Sequence, residues 1–251
     1  MKKTLIRILI IAVAAVLLII AGFFAYIMLH PGNSSKYSFD QIEALPDSPL
    51  KGKRILFLGS SVTHGMAAKE NAVAEYFGRR FSCDYTKEAV IGTTLGDHGN
   101  KSYVKRLKAL DTSVSYDLFI CQLSTNDATK GIRLGEISKD GEFDVTTTTG
   151  AIEYIIRYVQ DTWHCPVVFY TNSRYESPDY AALVSRLYEL QENYGIGIID
   201  LWSNDEFNDI SAEMRKLYMF DKIHPFMAGY RDWWGPEMEK QLLDILSEEE
   251  R

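Results

Sequence analysis

Cysteine is scarce in this chain, and basic residues do not dominate it. Cys83, Cys121 and Cys165 are widely spaced and form no CxxC pair. No metal knuckle and no thioredoxin-like motif is therefore suggested. Cys121 lies inside the apolar run Leu118-Phe119-Ile120-Cys121 and Cys165 leads into another, so the thiols read as small buried hydrophobes, with one disulfide among them as the alternative. Lys and Arg together number 27 against 34 Asp and Glu, a formal net charge of -7. A nucleic-acid binder normally shows a basic stripe, and this chain has none. Part of the acid sits at Glu248, Glu249 and Glu250, which read as a solvated, frayed helix end. Internal repeats are absent, and the only low-complexity tract is Thr146–Thr149. With 46% hydrophobic and 12% aromatic residues, a packed core is expected, not disorder.

Charge is missing altogether from Ile8 to Leu29. At ~1.5 Å per residue this run is long enough to cross a hydrocarbon core of roughly 30 Å. Lys2, Lys3 and Arg7 precede it, which keeps the N-terminus in the cytoplasm and turns the rest outward. A cleavable signal has a shorter apolar stretch and a small-x-small site. Here the run ends in Tyr26-Ile27-Met28-Leu29-His30, a poor cleavage site. A long cleaved signal is the alternative, and either way the globular part works outside the cytoplasmic membrane. The expected organisation is a cytoplasmic N-terminus and single-pass anchor over 1–30, a stalk over 31–52, and a catalytic domain over 53–251. The stalk carries Gly32-Asn33-Ser34-Ser35 and Pro46-Asp47-Ser48-Pro49, with Phe39, Ile42 and Leu45 placed to dock on the domain.

Beyond Lys53, short apolar runs alternate with helical patterns. Strands are expected at Arg54–Leu58, Asp84–Ile91, Asp117–Leu123, Pro166–Tyr170 and Gly195–Leu201. The second is the most polar, as befits an edge. Helices are expected at Ala67–Phe81, Tyr103–Leu110, Ala151–Trp163, Ser211–Tyr218 and Ala228–Leu246. A further one runs from Pro178, behind a Ser177 N-cap, to Tyr194. This alternation implies an α/β fold, a parallel sheet buried on both faces between helix layers. Working groups collect at the C-terminal strand ends of such sheets. The stretch from Ala128 to Gly150 is long for a connection and starts where a site would be, so it reads as a substrate-facing loop or lid, or else a disordered insertion.

Four segments in fixed order carry chemistry. Gly59-Ser60-Ser61-Val62-Thr63-His64-Gly65, Gly92-Thr93-Thr94 and Ser124-Thr125-Asn126-Asp127 follow the first three strands, and Asp221-Lys222-Ile223-His224-Pro225 lies near the C-terminus. Ser61, on a turn bracketed by glycines, is the candidate nucleophile, with Ser60 its competitor. His224 is the candidate general base, oriented by Asp221 three residues away. The amides of Ser61 and Gly92 and the side chain of Asn126 would form an oxyanion hole. Asp127 also suits an Asx turn. His64 and His98 fall on the site side, whereas His164 falls at the opposite edge of the sheet.

These segments resemble the SGNH, or GDSL-type, hydrolases, which carry Gly-Asp-Ser at the nucleophile, a glycine in the second block, Gly-x-Asn-Asp in the third and Asp-x-x-His in the last. The similarity runs from about Arg54 to Trp234 and includes His224-Pro225-Phe226-Met227-Ala228-Gly229-Tyr230. The resemblance implies a flavodoxin-like three-layer α/β/α fold with a five-stranded parallel sheet, and ester hydrolysis without metal or organic cofactor. It places the nucleophile at Ser61, the acid–base pair at Asp221 and His224, and oxyanion donors at Gly92 and Asn126. Two positions depart from the pattern. Ser60 replaces an aspartate, and Ser124 replaces a glycine and is expected to narrow the pocket. The function that follows is a membrane-anchored, extracytoplasmic serine esterase acting on O-acyl groups of a glycan. A lipid or lysophospholipid ester, acyl transfer to a sugar hydroxyl, and an inactive glycan-binding module are the alternatives. Protein partners are not indicated.

Overall fold

In the computed structural model, which describes residues 2–249, the apolar runs become β1 (Arg54–Gly59), β2 (Asp84–Ala89), β3 (Leu118–Gln122), β4 (Val167–Tyr170) and β5 (Gly197–Ile199). Glu250, the last residue of the acidic triplet, lies outside the described residues. The five strands form one parallel sheet in the order β2-β1-β3-β4-β5. This is the flavodoxin-like order, and its switch point lies between β1 and β3, where ligands gather beyond the strand ends. The polar strand β2 takes one edge, as its sequence suggests.

Period-two alternation sends each strand's side chains into two cores. Ile55, Phe57, Leu118, Ile120, Val168 and Tyr170 face one, while Leu56, Leu58, Phe119, Cys121, Val167 and Phe169 face the other. Helices cover both. The chain begins with α1 (Lys2–Leu29). After β1 come α2 (Ser61–His64) and α3 (Val73–Phe81), and after β2 comes α4 (Tyr103–Lys108). The crossover from β3 holds α5 (Thr125–Thr129) and α6 (Thr148–Trp163), and β4 leads to α7 (Pro178–Tyr194). Beyond β5 lie α8 (Asp205–Asn208), α9 (Ala212–Tyr218), α10 (Met227–Gly229) and α11 (Gly235–Glu249). Helices α3 and α11 close the first core with Phe77, Phe81, Met238 and Leu242; α4, α6 and α7 close the second with Leu107, Ile155, Val159 and Leu187. Together they make a three-layer α/β/α domain.

Most helix ends follow their caps. The Ser177 hydroxyl accepts the Tyr180 amide at 3.2 Å ahead of Pro178, which opens α7 as expected. Helix α3 differs: it begins at Val73, not at Ala67. Lys69 and Glu70 adopt left-handed backbone angles, and the amides of Ala68 and Glu70 turn back to the Gly65 carbonyl. The helix starts only where Glu75 can accept the Ala72 amide at 2.9 Å.

Helix α1 is exposed along its apolar length except at Ile27. It is the one helix among the described residues long and apolar enough to cross a membrane, over Ile6–Leu29. Residues 31–52 do not hang free behind it. Tyr37, Phe39 and Leu50 are buried in the first core, and the Leu45 amide reaches the Arg80 carbonyl at 2.6 Å.

Candidate active site

The end of β1 is built around a glycine. A Cβ at Gly59 would collide with the Thr63 hydroxyl, so only glycine lets α2 fold back so closely. That hydroxyl donates to Gln122 Oε1 at 2.8 Å and meets the Tyr170 hydroxyl at 2.7 Å. Gln122 Oε1 also accepts from the Ser60 amide at 2.9 Å. The turn is thereby fixed to β3. Gly65, at φ +79, ends α2 after one turn. Arg106, buried from α4, donates to the Gly59 carbonyl at 2.7 Å, the Glu88 carbonyl at 2.8 Å and the Thr93 hydroxyl at 3.2 Å. One guanidinium thus holds the ends of β1 and β2 and the loop that follows β2.

Ser61 opens α2 and is nearly buried. Its Oγ lies 2.8 Å from His224 Nε2, although the two are 163 residues apart in sequence. His224 Nδ1 lies 2.8 Å from Asp221 Oδ2 and 3.0 Å from Oδ1. The Asp221 carboxylate also accepts the amides of Ile223 at 2.7 Å and His224 at 2.8 Å. Burial pushes this carboxyl up, but the hydrogen bonds from the ring and the two amides outweigh it, and the group sits below its ordinary value. An ionised carboxylate only accepts, so Nδ1 carries the ring proton and Nε2 is left to accept from Ser61. The structure brings Ser61, His224 and Asp221 into one chain with the polarity acyl transfer requires.

Asn126 stands on the other side of the serine turn. Its Nδ2 donates to the Thr93 carbonyl at 2.9 Å and to Ser60 Oγ at 3.2 Å. Gly92 lies one residue before Thr93, its carbonyl taking Lys130 Nζ at 2.5 Å. The amides of Ser61 and Gly92 make no hydrogen bond to any described residue. They are the free donors, whereas both Asn126 amide hydrogens are engaged. Beside Gly92 opens a hollow of about 490 Å³ lined by Thr93, Thr94, His98, Lys101, Lys130 and Ile132. His98 Nε2 is tied to the Thr146 carbonyl at 2.8 Å.

Asp127 makes more than a local turn. Fully buried, it accepts from the Leu95 amide at 2.8 Å, the Gly96 amide at 2.9 Å and the Thr148 hydroxyl at 3.1 Å. Burial pushes its carboxyl above the ordinary value against those bonds. Asp127→Ala strands two amides and a hydroxyl, and is expected to cost about 3 kcal/mol of stability by urea denaturation. Ser124 does not crowd the pocket as its sequence position suggests. Its hydroxyl is buried and caps α5, accepting the Asp127 amide at 3.3 Å. The long 128–150 connection lines the hollow through Lys130 and Ile132, near its start. Its middle lies on the helix layer, and its end returns to the loop after β2, where the Val145 carbonyl accepts the Asp97 amide at 2.7 Å. The Ser138 amide donates to buried Glu153, and Arg186 donates to the Gly135 carbonyl.

Four supporting residues escape a reading by motif: Gln122, Thr63, Arg106 and Tyr170. Gln122 alone leaves a signal, a polar residue closing the otherwise apolar run of β3.

Fold and site together describe an α/β hydrolytic domain with a serine at its switch point. The sequence pattern of the GDSL-like Lipase/Acylhydrolase family matches residues 57–231, and the chain belongs to that family. It is a serine ester hydrolase acting on carboxylic esters. Among curated proteins, none matches the chain. Solved structures share the fold. A Lactobacillus plantarum protein is 20% identical with a TM-score of 0.58, covering 79% of this chain and 98% of its own. A G-D-S-L family protein of Desulfitobacterium hafniense is 14% identical with a TM-score of 0.59, over 76% and 99%. An acetyl-xylooligosaccharide esterase of Geobacillus stearmophilus is 12% identical with a TM-score of 0.55, over 76% and 94%.

Proposed function

We propose that this protein is a membrane-anchored esterase, working outside the cytoplasm, that removes O-acetyl groups from a glycan through Ser61, His224 and Asp221. The observation that carries the reading is the unbroken chain of short contacts from Ser61 Oγ through the imidazole to the Asp221 carboxylate. The hydroxyl of Ser61 attacks the ester carbonyl while His224 Nε2 takes its proton. Asp221 holds the ring in the required tautomer and faces the imidazolium that forms. The amides of Ser61 and Gly92 receive the oxyanion, and Asn126 joins by sharing the hydrogen that it gives to Ser60 Oγ, the longer of its two bonds. His224 then returns the proton to the departing sugar oxygen, leaving an acetyl-enzyme. Water, deprotonated by the same ring, releases acetate and restores Ser61.

The glycan assignment is supported by the acetyl-xylooligosaccharide esterase among the structures that share the fold. The apolar helix α1, behind basic residues, supports the anchor and its orientation. A lipid ester is the second reading, favoured by the packing of α1 against the loop that carries His224.

The test is covalent. A fluorophosphonate probe should label the full-length protein stoichiometrically, and peptide mapping should find the adduct on Ser61. The same preparation should hydrolyse p-nitrophenyl acetate. An adduct on Ser60, or none with no turnover of any short ester, would sink the assignment.

A further inference from the structure

The last turns of α1 do not stand clear of the domain. The Phe23 ring meets Phe220 edge-on with centroids 5.5 Å apart, and Tyr26 lies 5.9 Å from Phe220 and 6.3 Å from Phe226. His30, just past the helix, stacks on Phe226 at 3.8 Å. Phe220 and Phe226 bracket the loop from Asp221 to Pro225. That loop is closed by the Phe220 amide on the His224 carbonyl at 2.8 Å and by the Phe226 amide on the Tyr218 carbonyl at 2.7 Å.

Three distant segments then meet at one buried side chain. Asn33 Nδ2 donates to the Ile27 carbonyl of α1 at 2.8 Å and to the Ala67 carbonyl, just beyond the serine turn, at 2.7 Å. Asn33 Oδ1 accepts the Met227 amide at 2.9 Å, three residues beyond His224. The same amide group therefore joins the helix, the nucleophile segment and the base segment, and leaves almost no slack between span and domain. The span Ile6–Leu29 has 24 residues, about 36 Å of helix, against a hydrocarbon core of roughly 30 Å. With the helix in a bilayer, this surplus would leave Tyr26 and His30 near the interfacial belt where aromatic rings settle.

We propose that the end of α1 is a positioning element of the active site, setting the approach of His224 to Ser61 through Phe220, Phe226 and Asn33. This rests on the catalytic reading of Ser61 and His224. The helix is then not merely a tether, and the enzyme works with its span attached. None of these residues touches substrate. They act by holding the imidazole, and a displacement near 1 Å at a reacting centre can cost up to about a hundredfold in rate.

The test uses the full-length chain in phosphatidylcholine nanodiscs with p-nitrophenyl acetate. Phe23 and Tyr26 lie in the span, so replacing both with alanine leaves the folded domain intact. The double variant is expected to lose about tenfold in kcat with KM unchanged within about twofold, and with an unshifted thermal midpoint. Phe220→Ala should do the same and Phe220→Tyr should recover most of the loss. Wild-type kcat in both the double variant and Phe220→Ala would overturn the proposal. A parallel fall in thermal midpoint and labelled fraction, with kcat per labelled site unchanged, would overturn it too, because the contacts would then serve folding alone. Absence of fluorophosphonate labelling at Ser61 in the wild type would instead remove the catalytic reading itself.

Discussion

Ser61→Ala lowers kcat for p-nitrophenyl acetate by about 10⁴–10⁶-fold and abolishes fluorophosphonate labelling, while the domain stays folded. The size follows from the geometry. Among the described residues the Ser61 hydroxyl hydrogen-bonds only to His224 Nε2, so its removal deletes the nucleophile and little else. Ser60 is not a ready substitute. Its hydroxyl is fully buried, 3.3 Å from Gln122 Oε1 and 3.2 Å from Asn126 Nδ2, and hydrogen-bonds to no imidazole among the described residues. His224→Ala is expected to lose a comparable amount, because without a proton acceptor the serine is a weak nucleophile. The double variant should be hardly worse than either single one, as residues that act as a unit are not additive. Steady-state kinetics on the three variants checks this. Losses that multiply would mean that serine and histidine serve separate steps, and retained turnover in Ser61→Ala would move the nucleophile to Ser60.

The elements that sequence predicts well are those written in local chemistry. Apolar runs ending at Gly59, Gln122 and Tyr170 mark β1, β3 and β4, and Ser177-Pro178 marks the start of α7. Candidate residues could be picked because parallel sheets concentrate function just beyond such ends. What the sequence does not reveal is carried by contacts between remote segments. Nothing near Asn33 announces a partner 194 positions away at Met227, so residues 31–52 read as a stalk although they are packed on the domain. Lys69 and Glu70 are ordinary helix formers, and only the turn set by Gly65 forces them out of α3. Ser124 reads as an obstruction because its capping bond to Asp127 is invisible until the helix exists.

The Ser60 departure has a physical partner in Gln122. Gln122 Oε1 accepts from the Ser60 amide, the Ser60 hydroxyl, and the amide and hydroxyl of Thr63, while its Nε2 is buried without a partner among the described residues. An aspartate at position 60 would set a carboxylate against that oxygen. Turning the amide over to present Nε2 would strip the serine turn of its acceptor. Serine, able to donate to Oε1 and to accept from Asn126, satisfies both neighbours. The pair thus helps keep the turn under Ser61 rigid without a charge of its own, which explains how the nucleophile is positioned without the family's acid.

Asn126→Ala is expected to lower kcat by about 10²–10³-fold, corresponding to roughly 3–4 kcal/mol of lost transition-state stabilisation, with little change in KM. Two effects combine. The oxyanion loses a side-chain donor, and the loop after β2 loses the bond from Asn126 to the Thr93 carbonyl that fixes the neighbouring Gly92 amide. The charge develops only as the tetrahedral intermediate forms, so both losses fall on turnover and not on substrate binding. Asn126→Asp separates the residue's chemistry from its bulk. It keeps the volume but turns acceptor oxygens toward the Thr93 carbonyl and the developing negative charge, and should be at least as slow as alanine. Fluorophosphonate should still label Ser61 in both variants, more slowly, because the Ser61–His224 contact does not pass through Asn126. Full activity in Asn126→Ala would leave the oxyanion to the free amides of Ser61 and Gly92 and reduce Asn126 to a tie between two loops.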